Sequence, residues 1–192
     1  LRLVNHPQGL NIGYRHISLS TCGLVDKIDC LAELCLPITL SISLHAADDE
    51  TRSAIMPVNK RWNVETLLAA CRRYFEKTGR RISFEYTLIA GKNDSTQAAK
   101  KLALLLNRSL RTRSETMPIH VNLIPVNEVE ETGFHRAGAK AVAAFAAVLE
   151  QNGIRATVRR KLGSDINASC GQLRRAAAKE SGKSEEQVSP DR

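Results

Sequence analysis

Runs of branched apolar residues alternate with amphipathic helical repeats along most of this chain. Five short segments rich in Val, Ile, Leu and Thr predict β-strands, at residues 16–19, 38–44, 82–89, 119–124 and 156–159. Four segments repeat apolar residues at helical spacing and predict α-helices, at residues 24–34, 64–74, 95–106 and 139–149. Asn63 and Ser95 occupy N-cap positions, and Gly153 follows the last helix as a stop signal.

This alternation predicts an α/β fold in which about five parallel strands form one sheet, with helices between them. Ligands of such folds bind where the strands end and the loops begin. Chain order places polar residues after each strand in turn, namely Ser20 with Thr21, His45, residues 91–94, Asn127 and Cys170. The sequence therefore predicts a single site at the carboxyl edge of the sheet.

The residues of this edge each allow a functional and an ordinary structural role. His45 fits a general base, a cofactor contact or a loop residue, and Asp48 to Glu50 behind it fit an N-cap and first helical turn. Asn127 and Asn122 flank Pro125, where amides serve either ligand recognition or turn formation. The basic cluster Arg159-Arg160-Lys161 fits a phosphate contact or a solvated strand end.

Cys170 lies in the segment Asp165-Ile-Asn-Ala-Ser-Cys-Gly-Gln-Leu173, at a predicted helix start just after a short strand. Backbone N–H groups and the helix dipole at such a position favour the thiolate and make the sulfur nucleophilic. An isolated cysteine is more often a small buried hydrophobe. The residues alone leave both roles open.

Composition narrows the functional classes. The net charge of +8 and the sequence pI near 9.5 are compatible with a nucleic-acid partner. No apolar run approaches about 18 residues, so no membrane span is predicted. The five cysteines are odd in number and irregularly spaced, which argues against a disulfide framework and indicates a reducing, cytoplasmic setting. They form no C-x-x-C pair, which argues against a zinc site built from cysteines alone. Neither a glycine-rich phosphate loop nor a serine nucleophile elbow occurs.

Several segments, taken in order, resemble the carboxyl-terminal half of the RlmN/Cfr family. Members of this family are radical S-adenosyl-L-methionine (SAM) enzymes that methylate adenine in 23S ribosomal RNA and, for RlmN, in transfer RNA. The matching segments are residues 17–24, 41–52, 56–60, 81–86 with Asn93-Asp94, 121–127 and 165–173. Their order along nearly the whole chain makes the resemblance far more specific than any one segment.

The resemblance implies part of a TIM-like (β/α) radical SAM barrel over residues 1–175. Composition predicts a disordered tail at residues 176–192. In the family, SAM contacts lie at positions matching Ser20, Ser43, Leu44, His45 and Asn127, and Cys170 matches a cysteine that is itself methylated. A radical from a second SAM, cleaved at a [4Fe-4S] cluster, then activates this methyl group for addition to carbon 2 of adenine in RlmN, or carbon 8 in Cfr. We expect carbon 2, a monomer, and an electron donor such as flavodoxin.

The chain lacks several features of the family. The C-x-x-x-C-x-x-C motif that binds the cluster and the Gly-Glu segment that holds SAM do not occur, so no metal ligand is expected here. The chain begins at Leu1 rather than Met, and we expect both segments upstream of it, which would leave this chain inactive alone. Two alternatives stay open. One is a non-catalytic remnant or basic RNA-binding half-barrel, and the other is a small half-barrel enzyme with a nucleophilic cysteine.

Overall fold

A computed structural model describes residues 1–111, 117–126 and 133–159. The helices are α1 Arg2–Asn5, α2 Val25–Glu33, α3 Asp49–Ile55, α4 Val64–Thr78, α5 Thr96–Leu110 and α6 Ala139–Gln151. The strands are β1 Ser18–Thr21, β2 Thr39–Ser43, β3 Ile82–Leu88, β4 Ile119–Pro125 and β5 Arg155–Val158. The predictions for Asn127, Arg160, Lys161, Cys170 and the tail fall outside these described residues.

The five strands form one sheet in the order β1-β2-β3-β4-β5, and every neighbouring pair is parallel. The predicted α/β fold with a parallel sheet is therefore confirmed. The largest shift of a strand boundary is at β1, where the predicted start was wrong because His16 ends a short 3-10 turn and the strand begins only at Ser18. The His16 N–H donates to the Gly13 carbonyl at 2.9 Å and the Ile17 N–H to the Tyr14 carbonyl at 3.0 Å, which closes the turn before the strand starts.

The sheet has one apolar and one polar face, because side chains of a strand alternate between faces. Leu40, Ile42, Phe84, Val121 and Leu123 are fully buried on the apolar face. Helices α2, α4, α5 and α6 contact one another in sequence and share the hydrophobic core with this face. The opposite face carries hydroxyl, amide and charged side chains at the alternate positions. Polar chemistry is thus confined to that face and to the loops at the strand ends.

Side-chain caps fix where the helices begin. The Asp48 carboxylate accepts the Thr51 N–H at 2.8 Å, and the Asn63 amide oxygen accepts the Thr66 N–H at 2.8 Å. The Ser95 hydroxyl accepts the Ala98 N–H at 3.1 Å. These caps confirm the predicted starts of α3, α4 and α5. Helix α4 continues to residue 78 rather than 74, and Gly79 ends it with a left-handed φ of 61°.

Within the residues that the structure describes, no helix combines the length and apolarity that crossing a bilayer requires.

Candidate functional site

The carboxyl edge of the sheet brings together the predicted residues that follow β1 and β2. Ser20 is exposed near the end of β1, and Ser43 is the last residue of β2. Leu44 and His45 follow Ser43 directly, but the Leu44 side chain is fully buried in the core. The Leu44 N–H donates to the Glu85 carbonyl and the Leu44 carbonyl accepts from Arg52, so its contact with SAM stays a prediction. Asn127 and Cys170 lie outside the described residues, so their place at this edge stays a prediction.

His45 is held in an unusual backbone conformation with a defined ring orientation. Its φ is +60°, in the left-handed region that non-glycine residues seldom adopt. The Thr87 N–H donates to His45 Nδ1 at 3.0 Å, which places the proton of the neutral ring on Nε2. Burial, together with the positive charge of Arg52, lowers the pKa of His45 to about 4. Near neutral pH the ring is thus a hydrogen-bond donor through Nε2, and the general-base role is disfavoured.

Arg52 is completely buried beneath this edge. Its Nε donates to the Leu44 carbonyl at 3.1 Å, and its Nη2 donates to the Ser43 carbonyl at 3.1 Å and the Cys22 carbonyl at 2.9 Å. Its Nη1 donates to Asn59 Oδ1 at 2.9 Å. One guanidinium therefore joins the chain just after β1 to the end of β2.

Asn93 plays a comparable part between β2 and β3. Its side chain is nearly fully buried, and its Nδ2 donates to the His45 carbonyl at 2.9 Å and the Thr87 carbonyl at 2.8 Å. Its Oδ1 accepts the Ile89 N–H at 2.7 Å. The sequence predicted Ser95 as an N-cap, which is confirmed, and placed residues 91–94 at the carboxyl edge, but it did not predict the contact of Asn93 with the loop after β2.

The polar face carries a hydrogen-bonded network in the middle of the sheet. The Glu85 carboxylate accepts from Asn122 Nδ2 at 2.7 Å and from the Ser83 hydroxyl at 3.2 Å. The Ser83 hydroxyl is 2.9 Å from His120 Nδ1, and His120 Nε2 is 3.1 Å from the Thr157 hydroxyl. Asn122 is therefore a strand residue that supports Glu85, and the turn role that its sequence context allowed is wrong.

An open pocket of about 270 Å³ lies on this face toward the amino ends of β1, β2 and β3. Arg15 and Arg81 line it together with Ser18, Ser41 and Glu85. The Ser18 and Ser41 hydroxyls are 3.1 Å apart. The pocket lies away from the carboxyl edge, so it does not coincide with the predicted site.

The family resemblance implies two cofactors, SAM and a [4Fe-4S] cluster, and the described residues differ in how well they fit each. Among them no group of three or more His, Cys, Asp or Glu side chains is placed to hold a metal ion. Cys22, Cys30 and Cys35 are exposed at separate positions, while burial raises the pKa of Cys71 to about 12. These cysteines do not fit a [4Fe-4S] cluster. The Nε2 donor of His45 and the hydroxyls of Ser20 and Ser43 form a donor set that suits a ligand rich in oxygen and nitrogen, such as SAM.

Comparison with curated proteins gives close relatives. No family model matches the chain. The chain is 51% identical over 182 residues to the probable dual-specificity RNA methyltransferase RlmN of Clostridium perfringens, which covers 95% of this chain and 50% of that protein. It is 51% identical over 175 residues to the protein of the same description from Alkaliphilus oremlandii, covering 91% and 49%. The chain spans about half the length of the curated relatives it matches.

Solved structures give the same result. A radical SAM methyltransferase from Sphaerobacter thermophilus superposes with a TM-score of 0.80 at 44% identity, covering 89% of this chain and 48% of that one. A domain of a pyruvate-formate lyase-activating enzyme from Bacteroides vulgatus superposes with a TM-score of 0.57 at 19% identity, which is a likeness of fold alone. The resemblance drawn from the sequence is thus confirmed over nearly the whole chain.

Proposed function

Because this chain corresponds to one half of the RlmN radical SAM methyltransferases, we propose that it forms the carboxyl-terminal half of an RNA adenine methyltransferase. The proposed substrate is adenine in 23S ribosomal RNA, methylated at carbon 2, with transfer RNA as a second substrate. The identity of 51% over 95% of the chain is the observation that carries this proposal. The net charge of +8 supports an RNA partner, since basic side chains release counterions from phosphates.

The carboxyl edge of the sheet is the proposed SAM site. Ser20 and Ser43 supply hydroxyl groups and His45 supplies the N–H of Nε2, while the buried Leu44 joins Ser43 to His45 in the segment that would contact SAM. Asn127 adds an amide from the loop after β4. Bound SAM supplies the methyl group and the adenosyl radical of this chemistry. The [4Fe-4S] ligands would come from residues outside this chain, because the described cysteines do not fit the cluster.

Cys170 is the proposed methyl carrier. A nucleophilic sulfur at a helix start can hold the methyl group as a thioether and present it to carbon 2 of adenine. This route suits the reaction because carbon 2 has no lone pair with which to attack a methyl donor directly.

A second function is favoured by the exposed arginines Arg15, Arg81 and Arg155 at the amino edge of the sheet. These side chains would serve a non-catalytic RNA-binding half-barrel equally well. That function needs neither a cluster nor Cys170, so the two functions separate experimentally.

Replacement of Cys170 tests the proposal in the intact protein. C170A should abolish transfer of labelled methyl groups from SAM to RNA, measured by mass spectrometry of the digested nucleosides, with the melting temperature unchanged. C30A is the matched control, because Cys30 is an exposed residue of α2, and it should retain full activity. Full turnover by C170A would contradict the proposed role. RNA binding without any methylation by the unmodified protein would favour the second function.

A further inference from the structure

Three consecutive backbone carbonyls at the carboxyl edge, those of Ser43, Leu44 and His45, are each held by a buried side chain. Arg52 donates to the Ser43 and Leu44 carbonyls, both at 3.1 Å. Asn93 donates to the His45 carbonyl at 2.9 Å. We call Arg52 and Asn93 together the carbonyl clamp.

Two of these residues, Leu44 and His45, are also fixed through their amide groups. The Leu44 and His45 N–H groups both donate to the Glu85 carbonyl, at 3.0 and 3.2 Å. Segment 43–45 is therefore tied to β3 from one side and to the carbonyl clamp from the other. A segment with both its donors and its acceptors engaged has little freedom to rearrange.

The chemistry of Arg52 explains why a buried cation stands here. Its planar guanidinium directs several donors in fixed directions and reaches the ends of two strands at once. A lysine ammonium offers three donors at a single point, so it cannot reproduce this set of contacts. Four of the five Arg52 hydrogen bonds go to backbone carbonyls, which fixes main-chain position rather than side-chain identity.

The backbone of His45 shows what the clamp achieves. A left-handed φ of +60° is unfavourable for a non-glycine residue and persists only where the surroundings impose it. The Asn93 contact at the His45 carbonyl and the Thr87 contact at Nδ1 act on the two sides of this residue. The Thr87 contact fixes the tautomer of the His45 ring, and the two contacts together fix the orientation of the residue in the absence of a ligand.

We propose that Arg52 and Asn93 are positioning residues of the SAM site, which hold segment 43–45 in its binding geometry before SAM arrives. This inference rests on the proposed function, because contact between SAM and this segment is part of it. A segment that is already ordered loses less conformational entropy on binding, so the clamp raises affinity for SAM without touching it. RNA affinity does not depend on the clamp.

Two substitutions test the clamp in the intact protein, with SAM affinity measured by titration calorimetry. R52K keeps the positive charge but loses the planar guanidinium with its several donors. The serine of N93S is too short to reach the His45 and Thr87 carbonyls. Each should weaken SAM binding about tenfold, while RNA affinity stays within about twofold. The matched controls are R73K and N152S, since Arg73 pairs with Asp29 on the surface and Asn152 is exposed, and both should bind SAM normally. Melting temperatures identify variants that fail to fold.

Hydrogen exchange on the unsubstituted protein provides a test that does not depend on variants. The amides of Leu44 and His45 should be protected before SAM is added and gain little protection afterwards. Rapid exchange that slows only on SAM binding would overturn the inference, even if R52K and N93S do not fold.

The outcomes for the clamp and for the proposed function are distinguishable. If the unsubstituted protein binds no SAM, the proposed function fails together with the SAM role of the clamp. If it binds SAM and the folded R52K and N93S variants bind equally tightly, the proposed function stands and the clamp is refuted.

Discussion

At the scale of single residues, the ionisation of His45 follows from its surroundings. Burial, reinforced by the charge of Arg52, lowers its pKa to about 4, while the unfolded chain restores the ordinary value of 6.5. Between these values the unfolded state binds a proton that the folded state does not. The contribution of His45 to stability is therefore complete above pH 6.5 and is lost as the pH falls toward 4.

Substitution of His45 isolates this effect. H45N removes the titrating group and tolerates the left-handed backbone. On going from near pH 7 to near pH 5, the wild type should lose about 2 kcal/mol more of its free energy of unfolding than H45N does, as measured by urea denaturation at both values. The control H6N, at an exposed position, should follow the wild type. Parallel losses in wild type and H45N would show that the His45 ring is not held neutral.

The helix caps could be predicted from the sequence, whereas the roles of the buried residues Arg52 and Asn93 could not. The caps Asp48, Asn63 and Ser95 were predictable because a cap is recognised by side chain and position within a few residues. Arg52 and Asn93 were not, because their partners lie up to 48 residues away and their roles exist only once the sheet has formed. Both residues belong to segments that carried the resemblance, but nothing local distinguishes a buried arginine from a solvated one.

At the scale of elements, the alternation of apolar and polar positions predicted every strand of the described sheet, with boundaries shifted by two residues or fewer. The four predicted helical segments correspond to α2, α4, α5 and α6. Helices α4 and α5 end four residues later than predicted, at 78 and 110 instead of 74 and 106. Three of the four residues in each extra turn are polar, and Phe75 and Leu110 alone continue the apolar period there. The loops that join strands to helices were the least predictable, and the site is built from them.

The loop between β1 and α2 depends on a glycine. Gly23 has a φ of +101°, and a Cβ there would lie 2.9 Å from Leu67 Cδ1 and 3.3 Å from Arg52 Nη2. G23A should therefore destabilise the fold by about 2 kcal/mol or more, through backbone strain and overpacking. G79A is the matched control, because Gly79 also has a positive φ but its Cβ would meet nothing within 4 Å. It should cost only about 1 kcal/mol in thermal or urea unfolding. Equal losses would mean that the loop accommodates the added methyl group.

At the scale of the whole molecule, helices cover one face of the sheet and the other face keeps its polar side chains. A parallel sheet is ordinarily buried on both faces, so a face of hydrogen-bonded polar side chains is unusual for this fold class. The chain spans about half the length of its relatives. Cys170 and Asn127, which the sequence placed at the carboxyl edge of the sheet, stay predictions.

The methylation state of Cys170 shows directly whether this residue carries the methyl group. The protein should be purified from cells that express it in full, and the peptide carrying Cys170 analysed by mass spectrometry. We predict a peptide heavier by one CH₂, located on the Cys170 sulfur, with a deuterated methyl appearing when cells receive deuterated methionine. The peptides that contain Cys22 and Cys30 should show no added CH₂ on these cysteines. An unmodified Cys170 in a protein that methylates RNA would contradict the account.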